Sequence, residues 1–433
     1  MQQHTSTETS KERLSRALYT AIILILVLCN WCAWLIKAPF KGAGYSIRKR
    51  QRLGQTPELQ SSGGLLVHCV SVGEVMVAAS LIKRIRSIQP DYPVTVTTTT
   101  ATGAQQVKDL FADTVNHCYL PYDLPRLARR LLNRVKPEKV LVTEVELWPN
   151  FIHACYSKHL PVYLINARMT DKSAQRYAKL GILFTAMLNK LTKVCAQGQR
   201  DYDNYLALGL NEQQLLLSNN IKFDLELSQQ ESDQAAKLAA LLQIENRNVL
   251  LGASTHDPEE KVLLQSYQQL KKDNPDLLLI LTPRHPQRFA KVEKLIAQQS
   301  LAYQCLSQHP PIKAETDVFL VDAMGVLKSV YSLADIAFVG GSLADRGGHN
   351  ALEAALLSKP ILMGPSQHNN PAICDALIQA GALQTVVQEN ELTDKIRFWL
   401  ANPKDAVTAG SAGARVISDN AGAINTTLTA IGF

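Results

Sequence analysis

From residue 64 onwards, short runs of apolar and β-branched residues alternate with segments whose apolar residues recur at helical spacing. Strands that are apolar along their whole length and joined by helices are typical of parallel sheets covered on both faces. One series of predicted strands comprises residues 65–71, 94–100, 117–122, 139–146, 162–168, 193–198 and 214–218. A second series comprises residues 248–255, 277–284, 317–321, 336–341 and 361–365. The pattern predicts an α/β protein with two Rossmann-like domains that face each other across a cleft.

The polar run 228–234 separates the two series near the middle of the chain. We therefore predict an N-terminal domain over residues 61–224 and a C-terminal domain over residues 225–433. In open parallel sheets, ligands bind in the crevice outside the carboxyl ends of the strands. The loops that follow the predicted strands are therefore the places in which to look for functional side chains.

Residues 17–36 form a stretch without any charged side chain, and at ~1.5 Å per residue such a helix matches the thickness of a bilayer core. A polar tail, residues 1–16, precedes it, and a basic linker, residues 37–60, follows it. The stretch predicts a membrane anchor helix that spans the bilayer, with a helix lying in the membrane surface as the alternative. The excess of cations after the helix predicts that the folded domains lie on the cytoplasmic side.

The charge distribution argues against a nucleic-acid partner. The chain has a formal net charge of +7, but residues 1–60 alone hold nine Lys and Arg residues against three Glu residues. The folded domains are therefore close to neutral, whereas a nucleic-acid-binding domain carries its basic surface on the fold itself. Six of the eight cysteines are spread singly along the chain, which is typical of reduced, buried thiols in an intracellular protein.

The first predicted strand leads into Ser71-Val72-Gly73-Glu74, which opens a segment of helical periodicity. A serine at the N-cap and a glutamate three residues later form a capping box, which explains both residues without any chemistry. A binding site is the alternative, because Gly73 permits a tight turn and a helix N-terminus attracts anions. Both interpretations of Glu74 stay open at this point.

Glu144 and Glu146 lie at the end of the predicted strand 139–146. Strand alternation places both side chains on one face, where two carboxylates repel each other unless cations or hydroxyl groups lie between them. Exposure to solvent beyond the strand end is the alternative interpretation.

Pro283 and Arg284 end a predicted strand in the second half of the chain. The planar guanidinium of an arginine binds a phosphate through two parallel hydrogen bonds, which favours a phosphate site at Arg284. A surface cation without a ligand is the alternative.

Two glycine-containing segments follow in the second half. Gly341 ends the predicted strand 336–341, and Gly348, His349 and Asn350 precede a predicted helix. Glycines before a helix allow a phosphate to approach the backbone closely, and a carboxylate such as Glu353 in the first turn can hold a ribose diol. No P-loop pattern occurs, and the histidines show no metal-ligand spacing, so we predict no metal.

Ten segments resemble those of one family: VHCVSVGE, TVTTTTATG, YLPYDLP, EVELWPN, INARMTDKSAQRYAKLG, IKFD, LTPRHPQRF, FVGGS, RGGHNALEAA and LMGP, in this order. They are similar to the 3-deoxy-D-manno-octulosonic acid (Kdo) transferases of lipopolysaccharide synthesis. The resemblance implies a GT-B-type glycosyltransferase fold whose last helix crosses back to the first domain. It also implies an inverting transfer of Kdo from CMP-Kdo to a lipid A precursor, lipid IV-A, at the bacterial inner membrane, without metal or cofactor.

Position by position, the resemblance implies Glu74 as the general base, with Glu144 and Lys222 as transition-state stabilisers. The implied CMP-binding residues are Pro283, Arg284, Met324, Gly325, Val326, Asn350, Ala351, Leu352 and Glu353. Further candidate site residues are Ser71, Gly73, Glu146, Gly341, Gly348 and His349. Asn219 stands where the family usually has glycine, and asparagine is among the few residues that adopt a left-handed backbone.

The expected partners are CMP-Kdo, a lipid A precursor and inner-membrane lipids, with no nucleic acid. Two other functions stay open. One is a glycosyltransferase of the same fold that uses a UDP-sugar. The other is a catalytically silent, membrane-attached scaffold, which would bind CMP without forming a product.

Overall fold

The computed structural model describes residues 8–37, 43–244, 246–308 and 311–433. The chain divides into two compact units: unit 1 comprises Met1–Asp224 and Gly422–Phe433, and unit 2 comprises Leu225–Ala421. Parts of the predicted polar tail and of the predicted basic linker, residues 1–7 and 38–42, lie outside the described residues.

Unit 1 is built on a parallel sheet. Its strands are β1 (Leu65–His68), β2 (Val94–Thr98), β3 (Asn116–Tyr119), β4 (Lys139–Thr143), β5 (Val162–Ala167), β6 (Lys193–Ala196) and β7 (Leu215–Leu217). They lie in the order β3-β2-β1-β4-β5-β6-β7 across the sheet. The chain therefore builds the sheet outwards in one direction from β1 and in the other from β4. The crevice between the ends of these two strands is where such sheets bind ligands.

Helices connect the strands of unit 1 and cover its sheet. They are α1 (Ser10–Lys37), α2 (Ala43–Arg52), α3 (Val72–Ile88), α4 (Ala101–Phe111), α5 (Pro125–Val135), α6 (Pro149–Ser157), α7 (Asp171–Ala178), α8 (Ile182–Leu188) and α9 (Gln199–Ala207). Every residue of β1, β2 and β5 is buried, because these strands are covered by helices on both faces.

Unit 2 repeats this architecture. Its strands are β8 (Asn248–Thr255), β9 (Leu277–Pro283), β10 (Tyr303–Cys305), β11 (Val318–Leu320), β12 (Ile336–Val339), β13 (Ile361–Met363) and β14 (Leu383–Thr385), in the order β10-β11-β9-β8-β12-β13-β14. Its helices are α10 (Gln229–Leu242), α11 (Glu259–Leu270), α12 (Phe289–Ala297), α13 (Leu327–Leu333), α14 (Leu352–Leu356), α15 (Pro371–Gln379), α16 (Glu389–Ala401) and α17 (Pro403–Asn420). The strand order changes direction between β8 and β12.

The last helix, α18 (Ala423–Ile431), belongs to unit 1. Its N-terminus is capped by Asp224, whose Oδ1 accepts hydrogen bonds from the backbone N–H groups of Gly422, at 2.6 Å, and Ala423, at 3.2 Å. The Oδ2 atom accepts a further bond from the N–H of Ile424. Hydrogen bonds therefore join the end of the first chain segment of unit 1, Asp224, to the start of its second segment, Gly422.

The two parallel sheets confirm the predicted fold class. The pattern did not predict β10 and β14, which have only three residues each and carry glutamine at their centres. The predicted strand 139–146 is wrong beyond Thr143, where β4 ends. Glu144 has a left-handed backbone with φ of 53°, so the alternation of a strand does not reach it. The cysteines Cys69, Cys118, Cys155, Cys195, Cys305 and Cys374 are buried and free, as predicted.

Helix α1 packs against the rest of unit 1 through polar side chains. The Tyr19 hydroxyl is hydrogen-bonded to the buried Asp123 carboxylate, and the Asn150 amide donates to Thr20 Oγ1 at 3.0 Å. The opposite face is apolar and exposed, with Leu18 64% and Ile25 60% accessible. The segment Ser10–Trp31 is long and apolar enough to cross a membrane, and it is the one such helix among the residues with described coordinates.

Candidate functional site

Glu74 lies in the first turn of α3, just after the loop that follows β1. Its side chain is almost completely buried. Its carboxylate accepts hydrogen bonds from the backbone N–H groups of Val70, at 2.8 Å, and Ser71, at 3.2 Å. The Ser71 hydroxyl also contacts it, at 2.8 Å, and accepts from the Glu74 N–H in return. The capping box predicted from the sequence is therefore present, with Gly73 in the same turn.

The Glu74 carboxylate has a further partner that a capping box does not require. Thr143, the last residue of β4, places its hydroxyl 2.8 Å from Glu74 Oε2. The two residues are distant in sequence, but β1 and β4 are neighbours in the sheet, and Val142 pairs with His68 at their carboxyl ends. Glu74 therefore lies in the crevice where the strand order reverses, so its capping role does not exclude a functional one.

Glu144 follows Thr143 directly and is fixed by its unusual backbone. Its N–H donates to the carbonyl oxygen of Ile165 on β5 at 3.0 Å, so the chain leaves the sheet immediately afterwards. Burial raises the pKa of the Glu144 carboxyl above its usual range, and the Glu74 charge raises it further, while Lys222 and Arg168 oppose this shift. The site thus combines repelling carboxylates with compensating cations.

Glu146 is the third carboxylate of this group. Burial, followed by the charges of Glu74 and Glu144, raises its pKa to about 7. A carboxyl group with such a pKa exchanges a proton near neutral pH, which is the range in which general acids and bases are most effective.

Lys222 reaches the carboxylates from the loop after β7. This loop turns through Asn219, which has the left-handed φ of 63° expected for a residue in place of glycine. Asn220 Oδ1 accepts from the Lys222 N–H, and Asn166 Oδ1 accepts from the Ile221 N–H, both at 3.0 Å. Burial lowers the pKa of the lysine ammonium, while the nearby Glu144 carboxylate opposes this shift.

Two residues of the unit 1 site, Asn166 and Arg168, were not predicted from the sequence. Both belong to the end of β5 and the residues just after it, within the INARM segment. Their position at the carboxyl end of a parallel strand was the available signal. Asn166 also has a left-handed φ, of 48°, which orients its amide towards the Lys222 loop.

Unit 2 contains a cavity of about 410 Å³ that collects most of the predicted CMP-binding residues. The predicted residues that line it are Pro283, Arg284, Met324, Gly325, Val326, His349, Asn350 and Glu353. Ala351 and Leu352 are instead buried in the core beside it. Burial raises the pKa of the Glu353 carboxyl, while Lys328 and Arg284 oppose this shift and Glu231 adds to it.

Two lining residues that the sequence analysis missed form an ion pair. Lys328 Nζ on α13 lies 2.9 Å from Glu231 Oε1 on α10. Glu231 also caps its own helix, because its carboxylate accepts from the Ser228 N–H at 2.9 Å. These residues had no recognisable signal, since α10 lies about a hundred residues before α13 in the chain.

The glycine-rich segment after β12 is organised by a buried carboxylate. Glu259 accepts hydrogen bonds from the N–H groups of Gly341, at 2.8 Å, and Ser342, at 2.9 Å, and also from those of Leu343 and Ala344. Gly341 therefore donates its N–H to the protein itself. Gly348 has φ of 71°, and a Cβ atom there would lie 2.7 Å from Met363 Cε.

Among the described residues, no group of three or more His, Cys, Asp and Glu side chains is arranged to hold a metal ion.

A family described as 3-Deoxy-D-manno-octulosonic-acid transferase (kdotransferase) matches residues 47–225. A 3-deoxy-D-manno-octulosonic acid transferase of Haemophilus influenzae is 34% identical over 94% of this chain and 96% of its own length. The chain belongs to the Kdo transferase family. A Rickettsia typhi Kdo transferase is 32% identical over 77% of this chain and 71% of its own. This Kdo transferase homologue is accordingly a glycosyltransferase.

Two solved structures are similar to this Kdo transferase. The C-terminal CMP-Kdo binding domain of WaaA from Acinetobacter baumannii is 34% identical and covers 44% of this chain and 99% of its own, with a TM-score of 0.42. The UDP-GlcNAc 2-epimerase of Neisseria meningitidis, with 15% identity and a TM-score of 0.58, covers 85% of this chain and 99% of its own. The second likeness shows the shared two-sheet fold.

Proposed function

We propose that this protein transfers Kdo from CMP-Kdo to the lipid A precursor lipid IV-A in an inverting reaction that needs no metal. Family membership supports the Kdo transfer. The position of Glu74 is the main support for activation of an acceptor hydroxyl. Its side chain is buried where the strand order of unit 1 reverses, beside Thr143, Glu144 and Lys222. Direct attack by an activated acceptor hydroxyl inverts the configuration at the anomeric carbon.

The unit 2 cavity has the chemistry that a cytidine monophosphate requires. Arg284 supplies a guanidinium for the phosphate, and it lines the same cavity as Asn350 and Glu353. The leaving CMP is itself an anion, so a fixed cation at the phosphate stabilises it as the bond to the sugar breaks. Glu353, which is largely buried, is suited to accept hydrogen bonds from a ribose diol.

Glu74 is the proposed general base, and Lys222 and Glu144 stabilise the charge that develops during transfer. An acceptor hydroxyl must lose a proton to attack, and a carboxylate within hydrogen-bond reach can take it. A second candidate for the base is Glu146, because its pKa of about 7 suits proton exchange near neutral pH.

Glu74→Gln separates the catalytic role from the capping role. Glutamine still completes a capping box, but an amide does not take up the acceptor's proton. We expect CMP affinity to stay near the wild-type value, while kcat falls by at least ~10²–10⁴-fold. The melting temperature should fall as well, because the one oxygen of glutamine cannot replace both carboxylate oxygens, which accept from Ser71 and from Val70 and Thr143. Product formation from CMP-Kdo and lipid IV-A is followed by mass spectrometry.

Glu146→Gln is the matched control for this experiment. If Glu74→Gln turns over normally and Glu146→Gln does not, the base is Glu146 and Glu74 is a helix cap only. If the wild-type protein forms no Kdo-containing product, the proposed function itself is refuted.

We further propose that α1 holds the protein at the cytoplasmic face of the inner membrane. Its polar side chains contact the rest of unit 1, and its exposed apolar face, which includes Leu18 and Ile25, is available to lipid. The contacts from Tyr19 and Thr20 to unit 1 favour a helix lying in the membrane surface over a full span.

The double variant Leu18→Glu/Ile25→Glu tests this anchor without touching the docked face. We expect it to lose cosedimentation with phosphatidylethanolamine/phosphatidylglycerol vesicles and to keep the wild-type melting temperature, because charged side chains do not enter the acyl region. Val407→Glu, at an equally exposed apolar position on α17, is the control. Unchanged cosedimentation of the double variant would contradict the proposed orientation.

A further inference from the structure

Three histidines of unit 2 meet where the strand order of its sheet reverses. His256 follows β8, His285 follows β9, and His349 precedes α14. The Nε2 atoms of His256 and His349 are 2.9 Å apart, and their nearly parallel rings meet edge to edge with centroids 5.1 Å apart. The His285 ring meets that of His256 edge-on at 5.3 Å. We call these three residues the histidine cluster.

The fold holds the backbone of both residues in place. The backbone N–H of His256 donates to the buried Glu259 carboxylate at 2.9 Å, and that carboxylate also accepts from the Gly341 N–H. The backbone N–H of His349 donates to the carbonyl oxygen of Gly340 at 3.0 Å. A Cβ atom at Gly341 would lie 3.0 Å from His349 Cδ2, so glycine makes room for the ring. Both histidines are thus anchored to the same short segment.

The acidic groups around the cluster have partners of their own. Glu260 is paired with Arg288 at 2.8 Å, and Asp257 with Lys291 at 2.6 Å. Glu259 is surrounded by backbone N–H groups. Arg284, Arg288 and Arg346 act on the rings electrostatically, and Glu260 opposes them at His256.

Burial, together with nearby cations, favours the uncharged forms of His256 and His349. Burial, followed by His256, Arg284 and His285, lowers the pKa of His349 to about 4. Burial also lowers the pKa of His256, with His285, Arg288 and Arg346 adding to the shift and Glu260 opposing it. The cations among these groups favour an anion placed beside the rings.

We propose that the histidine cluster binds the carboxylate of the donor's sugar. The inference rests on the proposed function, in which the donor is CMP-Kdo. In that donor the carboxylate and the phosphate ester oxygen are bonded to the same anomeric carbon, so the carboxylate must bind close to the phosphate. Arg284, the proposed phosphate ligand, directly precedes His285, and it lines the cavity together with His349.

The hydrogen bond between the rings explains why two histidines suit a carboxylate. One ring donates its Nε2–H to the Nε2 of the other, so a neutral pair has one Nδ1–H left to donate. A pair that takes up one proton gains a second Nδ1–H donor and a positive charge, and the charge favours an anionic ligand over a neutral one. The arrangement therefore binds an acidic sugar and does not favour a neutral one.

The test compares the donor with CMP, which lacks the sugar. We expect His256→Gln and His349→Gln to raise KM for CMP-Kdo by roughly 10–100-fold, the range of a lost charge-assisted hydrogen bond. The inhibition constant of CMP should stay near the wild-type value, and kcat should change little. His159→Asn removes an exposed histidine in unit 1 at a left-handed position that asparagine tolerates, and it serves as the control.

Three results would overturn the assignment. They are an equal rise in the CMP inhibition constant and in KM, a fall in kcat at unchanged KM, and no change in any constant. If the variants of the half-buried His256 and His349 fail to fold, as judged by thermal melting, the exposed His285→Gln is used for the same test. Absence of wild-type turnover with CMP-Kdo would instead refute the proposed function, which keeps the two failures distinguishable.

Discussion

The sites of the two units are built on the same sheet architecture but have opposite electrostatic character. In unit 1, three carboxylates crowd together, and burial and mutual repulsion raise the pKa values of Glu144 and Glu146. In unit 2, imidazoles and guanidinium groups crowd together, and the pKa values of His256 and His349 are lowered. The first site favours protons and cations, and the second favours anions.

This difference shows what the fold supplies and what it leaves to the side chains. Both sheets reverse strand order once and open a crevice there. The chemistry of each crevice depends on which residues follow the strands: Glu74 and Glu144 after β1 and β4, but His256 and Arg284 after β8 and β9. The architecture determines where a ligand binds, and these residues determine which charge it carries.

Lys222→Gln should remove the charge compensation in the unit 1 site. We expect it to have the largest effect on activity among the variants that follow. Without the ammonium group, Glu144 and Glu74 lose the cation that opposes their repulsion. We expect kcat to fall by about 10²–10³-fold, as when a preorganised donor is removed from an active site. The inhibition constant of CMP should not change.

Lys83→Gln removes an exposed lysine of α3 and is the matched control for Lys222→Gln. Equal activity of the two variants would show that the Lys222 ammonium has no part in transfer.

Arg284→Ala should weaken ligand binding in the unit 2 site, with a smaller effect than that of Lys222→Gln. The loss of a charge-assisted hydrogen bond, about 1.5–3 kcal/mol, weakens CMP binding measured by calorimetry. Arg284→Lys should recover only part of the affinity, because an ammonium group cannot form the two parallel bonds of a guanidinium. Arg397→Ala, on the surface of α16, is the control.

The same calorimetry with UDP distinguishes a CMP-sugar donor from a UDP-sugar donor. We expect CMP to bind more tightly than UDP, and tighter binding of UDP would favour a UDP-sugar donor. If Arg284→Ala leaves CMP affinity unchanged, Arg284 is a surface cation.

Glu146→Gln should give the smallest effect, and it is an effect on stability. The pKa of Glu146 is raised to about 7 in the folded protein, so the folded chain holds this proton more tightly than the unfolded chain does. Stability is therefore lost as the pH rises from the ordinary glutamate pKa towards that value. The variant lacks this penalty, so its melting temperature should exceed that of the wild type by a few degrees at about pH 8.

The advantage of Glu146→Gln should shrink when the same melting curves are recorded at about pH 5, where the wild-type carboxyl is largely protonated. A pH-independent difference between the two proteins would mean that the amide acts through packing and not through the removed charge.

Sequence periodicity identified the long apolar strands and hence the fold class. It failed where local backbone geometry decides the outcome, as at Glu144, whose left-handed backbone ends β4 earlier than the apolar pattern suggests. It also missed β10, because three residues with a central glutamine have no recognisable period. These are effects of tertiary context, which local patterns do not contain.

The site residues show the same division. Single residues in loops after strands, such as Glu74 and Arg284, could be predicted as candidates because the architecture indicates where to look. Pairings between loops were not found: His256 and His349 are 93 residues apart, and their contact depends on the Glu259 carboxylate holding two loops together. Sequence alone does not reveal such long-range contacts.

The capping of α18 by Asp224 has a consequence for how this chain can be rebuilt. Unit 2 begins at Leu225 and ends at Ala421, and the residues flanking these points, Asp224 and Gly422, are joined by a 2.6 Å hydrogen bond. In topological terms unit 2 is an insertion whose entry and exit lie at one place on its host. Two splices, after Asp224 and before Gly422, should therefore allow unit 2 to be exchanged for a related domain. The exchanged protein must keep the Asp224 carboxylate, because α18 loses its N-terminal cap without it.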